Sequence, residues 1–359
     1  MDFIPSLGRQ ADTWAKVQNG TRMNEEVLPQ RRLGPYRVGM IGLGCMNLSH
    51  AYGTPPGVGD AEKVLRRALD LGITLFDTAA LYGFGANEEL VGEILAPMRN
   101  RIVLASKCGI DGVRRVDGVR RAIDGRPATL KATCADSLRR LRTDVIDLYY
   151  LHRWDKAVPI EDSIGALADL VKEGKIRAIG LSEVSARTLR KAVEIHPICA
   201  VQSEYSLWTR NAEIAVLDTC RELGVAYVAF SPLGRGYLTG SLRDIASLDA
   251  KDIRRAMPRF AAGTYESNLE LLEIAADIAR QAGCSLPQLA LAWVLARGEF
   301  VIPIPGTTKV EHLEENIAAC RVRLNSAQLQ DLDNVFHAGA IAGARYNDAN
   351  LAEIDTEEF

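Results

Sequence analysis

Residues 145–181 read VIDLYYLHRWDKAVPIEDSIGALADLVKEGKIRAIGL and contain a complete strand, helix and strand. The runs VIDLYYL (145–151) and IRAIGL (176–181) are aliphatic on both faces, which is typical of parallel strands covered by helices on both sides. Residues 160–173 between them have the pattern of an amphipathic helix, and Gly174 supplies a stop beyond its last turn. The stretch predicts one β/α unit of a parallel sheet.

The same alternation of strand and helix repeats about eight times from Arg31 onward. The other predicted strands are MIGLGC (40–45), ITLF (73–76), IVLAS (102–106), AVQSE (200–204), VAYVAF (225–230) and FVIPI (300–304). The other predicted helices are Asp60 to Leu71, Glu88 to Leu95, Thr129 to Leu141, Ser185 to Ile195, Asn211 to Leu223 and Ser267 to Gln281. Eight such units indicate a closed barrel.

We therefore predict an α/β protein with a single (β/α)8 TIM barrel over residues 31–340. The polar, aperiodic residues 1–30 are expected to form an N-terminal arm or extension, and residues 341–359 a C-terminal tail. The segment RRLGPYRVGM (31–40) predicts a short hairpin that plugs the bottom of the barrel.

Two predicted connections, residues 108–128 and residues 231–260, are unusually long. Loops of this length in a compact domain are usually functional or disordered. Both leave the carboxyl ends of strands, where barrel enzymes carry their chemistry. We expect the functional site to lie between them.

Composition excludes several classes of protein. Of the 359 residues, 47% are hydrophobic and 25% charged, and the net charge of -3 gives no reason to expect a nucleic-acid or membrane-surface partner. The seven cysteines include no C-x-x-C pair, which argues against a metal site or a disulfide framework. With neither a signal peptide nor an apolar span, we expect a cytoplasmic protein.

Polar side chains follow three consecutive strands of the predicted barrel. Asp77 comes directly after ITLF, Lys107 after IVLAS and His152 after VIDLYYL, while Tyr82 lies in the loop that follows Asp77. Because the carboxyl ends of parallel strands meet at one rim, these four side chains should converge. Taken singly, each has an ordinary structural explanation; taken together, they indicate a site.

The chemistry of this set follows from proton affinities. A tyrosine with a pKa of about 10 becomes a useful proton donor when a neighbouring ammonium such as Lys107 stabilises its phenolate. The buried ammonium needs a counter-ion, which Asp77 supplies. A neutral His152 could orient a carbonyl oxygen beside the phenol. The set predicts protonation of a carbonyl oxygen while hydride arrives from elsewhere, without a metal or a covalent nucleophile.

A dinucleotide would have to bind outside a Rossmann motif. Gly42 and Gly44 in IGLGCMN are followed by Asn47 where a third glycine is needed, so this stretch is interpreted as a tight strand end. In barrels, phosphate commonly binds after strands seven and eight. The candidates there are the backbone amides of Ser231, Leu233 and Gly234, together with Thr307 and Lys309 at a predicted helix N-terminus.

The chain resembles the aldo-keto reductases, and more closely their bacterial and plant branch with long loops. The motifs that carry the resemblance occur in order: DTAALYG (77–83), ASKCG (105–109), DLYYLHRWD (147–155), GKIRAIGLSE (174–183), VQSEYSLW (201–208), FSPLGRGYLTG (230–240) and IPIPGTTKVEHLEENI (302–317). The resemblance implies an oxidoreductase that reduces aldehydes and ketones with NADPH. It implies that Tyr82 donates or accepts the proton, Lys107 lowers the pKa of Tyr82, Asp77 pairs with Lys107 and His152 orients the carbonyl.

The resemblance also implies a set of cofactor contacts. The implied contacts are Ser182 and Gln202 with the nicotinamide carboxamide, Tyr205 or Trp208 beside its ring, Lys309 and His312 with the adenosine phosphate, and Glu315 and Asn316 with the adenine. Two positions depart from the family pattern: Glu183 replaces a common Asn, and His312 replaces a common Arg. Because histidine is less reliably charged, we expect softer discrimination of NADPH from NADH.

The substrate side of the site is open to several interpretations. The aromatic residues Trp154, Trp208, Tyr52 and Phe84 could line an apolar pocket for a small-molecule carbonyl substrate, or could be core. A basic cluster in the first long connection either reaches an acidic substrate or, as we expect, is solvated; it comprises Arg114, Arg115, Arg120 and Arg121.

Two functional alternatives remain open at this point. The reaction is reversible, so the protein could oxidise an alcohol or a sugar in the cell. The potassium-channel beta subunits share this fold, and they suggest a nucleotide-binding regulatory subunit whose arm 1–30 contacts a partner. Oxidation of NADPH with an aldehyde distinguishes an enzyme from such a subunit.

Overall fold

A parallel sheet curls into a barrel in the computed structural model, which describes residues 28–115 and 118–359. Its eight strands within those ranges are β3 (Leu43–Gly44), β4 (Leu75–Asp77), β5 (Val103–Cys108), β8 (Ile146–Leu151), β9 (Ile176–Ser182), β10 (Ile198–Glu204), β11 (Ala226–Phe230) and β12 (Val301–Pro303). They pair in chain order. The Gly42 amide donates to the Pro303 carbonyl (3.0 Å), and the Gly44 amide to the Pro305 carbonyl (3.4 Å). These two hydrogen bonds join the first and last strands, which confirms the predicted barrel.

The predicted hairpin closes the amino-terminal end of the barrel. Strands β1 (Gln30–Leu33) and β2 (Tyr36–Gly39) pair antiparallel, with Leu33 opposite Tyr36. Leu33 and Val38 are buried in one cluster with the inward side chains of the barrel strands. Gln30 therefore belongs to the hairpin, although the sequence assigned it to the arm. The rest of the arm, up to residue 27, lies outside the described residues.

The seven predicted helices are present, with ends that differ by a few residues. In the described ranges the helices are α1 (Val58–Asp70), α2 (Ala86–Leu95), α3 (Pro127–Arg140), α4 (Ile160–Lys172), α5 (Ala186–Ile195), α6 (Val216–Leu223), α7 (Thr264–Gln281), α8 (Leu286–Leu295), α9 (Val310–Ala318), α10 (Ser326–Val335) and α11 (Asp348–Leu351). Helix α8 was not predicted, because it is buried on nearly every side and so lacks an amphipathic pattern.

The two long connections differ from each other. The segment 108–128 was expected to be a loop, but it forms an antiparallel hairpin of β6 (Ile110–Arg115) and β7 (Gly118–Ile123). The segment 231–260 does lack long elements and consists of short 3₁₀ turns, beginning with Gly234–Thr239. Both stand at the carboxyl ends of barrel strands, as expected.

The C-terminal segment 341–359 packs against the carboxyl end of the barrel. Arg345, Tyr346 and Ile354 in this segment are buried. The Asp355 carboxylate accepts hydrogen bonds from the backbone amide (3.1 Å) and the hydroxyl (2.9 Å) of Ser185. The segment is therefore part of the wall around the site.

Two negative findings apply to the described ranges. No helix there combines the length and apolar character needed to cross a membrane. No group of three or more potential metal ligands occurs among the described side chains.

Candidate active site

A cleft of about 950 Å³ opens at the carboxyl end of the barrel. Its wall includes Asp77, Tyr82 and His152 from the predicted set. Lys107 lies beneath them and is only 1% exposed. The four side chains therefore converge, as the strand order predicts.

Lys107 connects the members of this set. Its Nζ pairs with Oδ1 of Asp77, donates to the Thr78 carbonyl (2.9 Å) and donates to the Tyr82 hydroxyl (3.3 Å). Strands β4 and β5 are neighbours in a register that sets Asp77 opposite Ala105, two residues before Lys107. Because side chains alternate along a strand, Ala105 and Lys107 share one face and the lysine reaches the end of β4.

Tyr82 begins a strained turn that leads into helix α2. Gly83, Phe84 and Gly85 all have positive φ, at 59°, 51° and 100°. Asn87, fully buried, anchors this turn: its Nδ2 donates to the Cys45 carbonyl (2.8 Å) and its Oδ1 accepts from the Thr78 hydroxyl (2.6 Å). Asn87 was not predicted, because a single Asn near a helix start has no distinctive pattern.

The protonation of Tyr82 is a balance of opposing effects. Burial raises the pKa of the phenol, the charge of Lys107 lowers it and the charge of Asp77 raises it, and the net direction is upward. Lys107 thus lowers the pKa of Tyr82, as predicted, but burial raises it by more. The phenol is therefore held protonated at neutral pH, ready to donate a proton.

His152 is held neutral. Burial lowers its pKa well below the ordinary value, and the positive charges of Arg153, Lys107 and Arg121 lower it further. The ring of His152 meets the ring of Tyr82 edge to face, with 6.0 Å between centroids. A neutral imidazole beside a protonated phenol can orient a carbonyl oxygen, as the sequence predicts.

Most of the predicted cofactor residues line the same cleft. They are Ser182, Gln202, Ser231, Leu233, Thr307, His312, Glu315 and Asn316. Ser182 ends strand β9 and Gln202 lies two residues before the end of β10, beside the four converging side chains. His312 and Asn316 lie one turn apart on α9. The cleft therefore extends from Tyr82 to a helix at the far side of the barrel mouth.

The loop after β11 has the backbone of an anion-binding turn. Ser231, Gly234, Arg235 and Gly236 have φ of 48°, 55°, 56° and 94°. Such successive left-handed residues can gather amides into a concave nest. Of the predicted amides, that of Gly234 donates to the Ser231 carbonyl (2.9 Å) inside the turn. A Cβ at Gly234 would lie 3.2 Å from the Trp208 ring, so this glycine also permits close packing. Its contact with a cofactor stays a prediction.

Lys309 lies at the edge of the site. It is exposed, immediately precedes α9, and is not part of the cleft wall. Its backbone amide donates to the Thr307 hydroxyl (3.1 Å), which fixes the turn before the helix. A contact of the Lys309 side chain with an adenosine phosphate stays a prediction.

Some of the aromatic residues that were predicted to line the site are buried in the core instead. Tyr205 bonds Glu213 through its hydroxyl (2.7 Å), and Trp208 is stacked on Tyr237 at 3.9 Å, so neither lines the cleft. Trp154 and Phe84 are likewise outside its wall. Of the four aromatic residues predicted for the substrate side, Tyr52 alone lines the cleft, and Phe230, at the end of β11, was missed.

Glu183, which departs from the family pattern, belongs to a buried ion cluster. The four members of this ion cluster are Glu183, Glu204, Arg235 and Arg345. Arg345 pairs with both carboxylates, and Arg235 with Glu204 (2.8 Å). Burial raises the pKa of Glu204, but the charges of Arg235, Arg345 and Arg259 outweigh it and lower the pKa to about 2. The cluster ties the C-terminal segment to the loop after β11.

Other wall residues come from distant parts of the chain. They include Asn47, His50, Arg121, Arg153, Tyr346, Asn350 and Glu353. Arg121 donates to Asn350 Oδ1 (2.9 Å) and pairs with Glu353, so the expectation that it is merely solvated is wrong. The side chains of Arg114, Arg115 and Arg120 lie outside the described residues.

Known proteins resemble this chain over most of its length. The model of the aldo/keto reductase family matches residues 40–336. Probable aldo-keto reductase 1 of Glycine max is 43% identical over 312 residues, which are 87% of this chain and 89% of that protein.

Solved structures agree with this match. The glycerol dehydrogenase of Gluconobacter oxydans is 29% identical, with a TM-score of 0.78 over 87% of this chain and 95% of its own. An aldo/keto reductase of Klebsiella pneumoniae, solved with NADP and acetate, is 28% identical, with a TM-score of 0.68 over 92% of this chain and 100% of its own. This chain is therefore a member of the aldo/keto reductase family.

Proposed function

We propose that this chain reduces an aldehyde or a ketone to the alcohol with NADPH, and that Tyr82 donates the proton. The observation that carries the proposal is the hydrogen bond between the Tyr82 hydroxyl and the buried Lys107 ammonium, beside a neutral His152, in the wall of a large cleft. This arrangement suits proton donation to a carbonyl oxygen. Membership of the aldo/keto reductase family supports it.

The cleft fits an extended dinucleotide. It reaches from Tyr82 past the left-handed loop 231–236 to helix α9, and it holds about 950 Å³. In the proposal, Ser182 and Gln202 hold the nicotinamide carboxamide and Ser231 and Leu233 hold the pyrophosphate. Contacts to the adenosine end come from Thr307, Lys309, His312, Glu315 and Asn316. The NADP-bound relative from Klebsiella pneumoniae supports this assignment of cofactor.

When bound, NADPH supplies the hydride for the carbonyl carbon. Tyr82 Oη donates its proton to the carbonyl oxygen as negative charge develops there. The Lys107 ammonium, compensated by Asp77, stabilises the phenolate that remains, because opposite charges favour the ionised form. The neutral imidazole of His152 donates a hydrogen bond that orients the carbonyl beside the phenol.

The protonation of Tyr82 favours the reductive direction. Oxidation of an alcohol needs the phenolate as a base, whereas reduction needs the phenol as an acid. Burial raises the pKa of Tyr82 and keeps the phenol protonated at neutral pH. Reduction is therefore proposed as the reaction that the protonated site supports at neutral pH, with alcohol or sugar oxidation as its reverse.

The test is NADPH oxidation with nitrobenzaldehyde by the purified full-length protein. We expect one nitrobenzyl alcohol for each NADPH consumed. A protein that binds NADPH tightly, as seen in a fluorescence titration, but consumes none with a panel of aldehydes and ketones would contradict the proposal. That outcome would favour the regulatory-subunit alternative.

A further inference from the structure

One arginine in the cleft wall has no carboxylate partner. Arg153 directly follows His152, and its Nη1 donates to the His152 carbonyl (2.7 Å) and to the Ser182 hydroxyl (3.3 Å). Among the side chains that the structure describes, no carboxylate forms an ion pair with it. A half-buried guanidinium with neutral partners only is costly, because part of its hydration is lost without a compensating charge.

The other arginines of the cleft wall have acidic partners. Arg235 pairs with Glu204 and also donates to the Tyr346 hydroxyl (2.9 Å). Arg254 makes two hydrogen bonds to Asp252, at 2.9 and 2.6 Å. Arg153 therefore differs from the other arginines of the cleft wall, and it lies beside the reacting groups.

A second guanidinium, that of Arg121, belongs to the same cleft wall as Arg153. Burial lowers the pKa of Arg121, and the positive charge of Arg153 lowers it further, which reflects their proximity. Arg121 pairs with Glu353 and donates to Asn350 Oδ1 (2.9 Å). This corner of the cleft thus holds two positive charges and one negative charge.

The corner is next to the proton donor. Tyr82, His152, Ser182, Arg153 and Arg121 all belong to the wall of one cleft. The acidic groups elsewhere in that wall are Asp77, which pairs with Lys107, and Glu315 on α9. A substrate whose carbonyl lies at Tyr82 would find the unpaired guanidinium within the same compartment.

We propose that Arg153, assisted by Arg121, binds a carboxylate of the substrate, so that the natural substrate is an oxo acid. This inference rests on the proposed function and names the substrate class of the same site. The planar fork of a guanidinium matches a carboxylate with two parallel hydrogen bonds, and a lysine cannot reproduce that geometry. A carboxylate would supply the negative charge that the corner lacks.

The test compares matched acids and esters at saturating NADPH. The pairs are 4-oxobutanoate with its methyl ester and 4-carboxybenzaldehyde with its methyl ester. A carboxylate activates an aldehyde less than an ester does, so a preference for the acid reports recognition rather than chemical reactivity. We expect the wild type to prefer the acid in kcat/KM, and we expect added salt to raise the KM of the acid but not that of the ester.

Variants of Arg153 test the inference through the acid-to-ester ratio of kcat/KM. R153M should lower the acid-to-ester ratio of kcat/KM at least tenfold, and R153K should give an intermediate ratio because it keeps the charge without the fork. The matched control is R139M, which removes an exposed arginine on α3 that pairs with Asp136; its ratio should equal that of the wild type. If R153M does not fold, R153K and the salt dependence of the wild type decide the question.

Two kinds of failure are distinguishable. If the protein reduces esters and nitrobenzaldehyde but the acid-to-ester ratio is unchanged in R153M and R153K, this inference is overturned and the proposed function stands. If no carbonyl compound is reduced while NADPH binds, the proposed function fails first, and the inference fails with it.

Discussion

Gln202 donates a hydrogen bond from Nε2 to Oδ2 of Asp77 (2.8 Å), the carboxylate whose other oxygen pairs with Lys107. Asp77 ends strand β4 and Gln202 lies two residues before the end of β10. The two strands are not neighbours in the sheet, so the bond crosses the mouth of the barrel. The residue that the resemblance assigns to the cofactor therefore also orients the counter-ion of Lys107. Gln202 couples the wall of the cleft to the residues proposed to donate the proton.

Gln202→Leu should destabilise the protein even without cofactor. The substitution leaves one oxygen of the buried Asp77 carboxylate without its donor, which costs about 1–3 kcal/mol of unfolding free energy. Urea unfolding of the cofactor-free protein measures this. The control is Gln330→Leu, on the exposed face of α10, which should stay within about 0.5 kcal/mol of the wild type. Equal stability of Gln202→Leu and the wild type would show that this hydrogen bond is absent in solution.

The pH profile of reduction should be flat through neutrality. Burial raises the pKa of Tyr82, so the phenol stays protonated to higher pH than an ordinary tyrosine, and activity should fall only above about pH 10. Burial lowers the pKa of His152 well below its ordinary value, so its protonation should not appear as a limb near pH 6.5. Steady-state kcat at saturating substrate tests both statements. A limb centred near pH 6.5 would contradict the neutral assignment of His152.

Lys309→Ala should weaken the binding of NADPH more than the binding of NADH. An exposed lysine at the start of α9 would contact the phosphate that distinguishes the two cofactors, and its loss should cost NADPH roughly tenfold in affinity, or about 1.4 kcal/mol. Fluorescence titration with both nucleotides measures the difference, and Lys191→Ala on α5 is the exposed control. Equal weakening of the two nucleotides would locate the adenosine phosphate away from Lys309.

Arg345→Met should destabilise the C-terminal segment and loosen the loop after β11. It leaves the buried Glu183 and Glu204 with fewer positive partners, which typically lowers the unfolding free energy by about 3 kcal/mol or more. Since Glu204 also holds Arg235 of the loop, dissociation of NADPH should become faster. Thermal or urea unfolding and stopped-flow release measure the two effects.

The control for this variant is Arg280→Met, whose exposed pair with Asp277 should contribute at most about 1 kcal/mol. Similar losses of unfolding free energy in Arg345→Met and Arg280→Met would show that burial of the ion cluster does not increase its contribution to stability.

The barrel and the convergence of Asp77, Lys107 and His152 at its mouth could be predicted because both follow from local patterns. Strands such as Ile146–Leu151 are buried along their whole length and therefore read as continuous apolar runs. Once the strands are found, the rule that their carboxyl ends share a rim brings Asp77, Lys107 and His152 together. No knowledge of the loops is needed for this step.

The rest of the site depends on contacts between distant residues. Glu183 and Arg345 are 162 residues apart in the chain, and neither position has a local pattern that predicts the pair. Trp208 follows a strand end and so resembled a wall residue, but its stacking on Tyr237 places it in the core. Arg121 was expected to be solvated, because nothing in the sequence around it indicates that Glu353 packs beside it in the folded chain.

Tyr82→Phe tests the role of the phenol most directly. The substitution removes the hydroxyl that Lys107 contacts and leaves the cleft otherwise intact, so NADPH affinity should be kept. Tyr36→Phe is the matched control, because the Tyr36 hydroxyl donates to the Asp147 carbonyl (3.3 Å) from the hairpin that closes the amino-terminal end of the barrel.

The deciding measurement is the single-turnover rate of NADPH oxidation by preformed NADPH complexes mixed with nitrobenzaldehyde at neutral pH. We expect Tyr82→Phe to be slower than the wild type by roughly two to four orders of magnitude, the scale of a proton-transfer group, and Tyr36→Phe to be unchanged. A Tyr82→Phe rate within a few-fold of the wild type would contradict the assignment of Tyr82 as the proton donor.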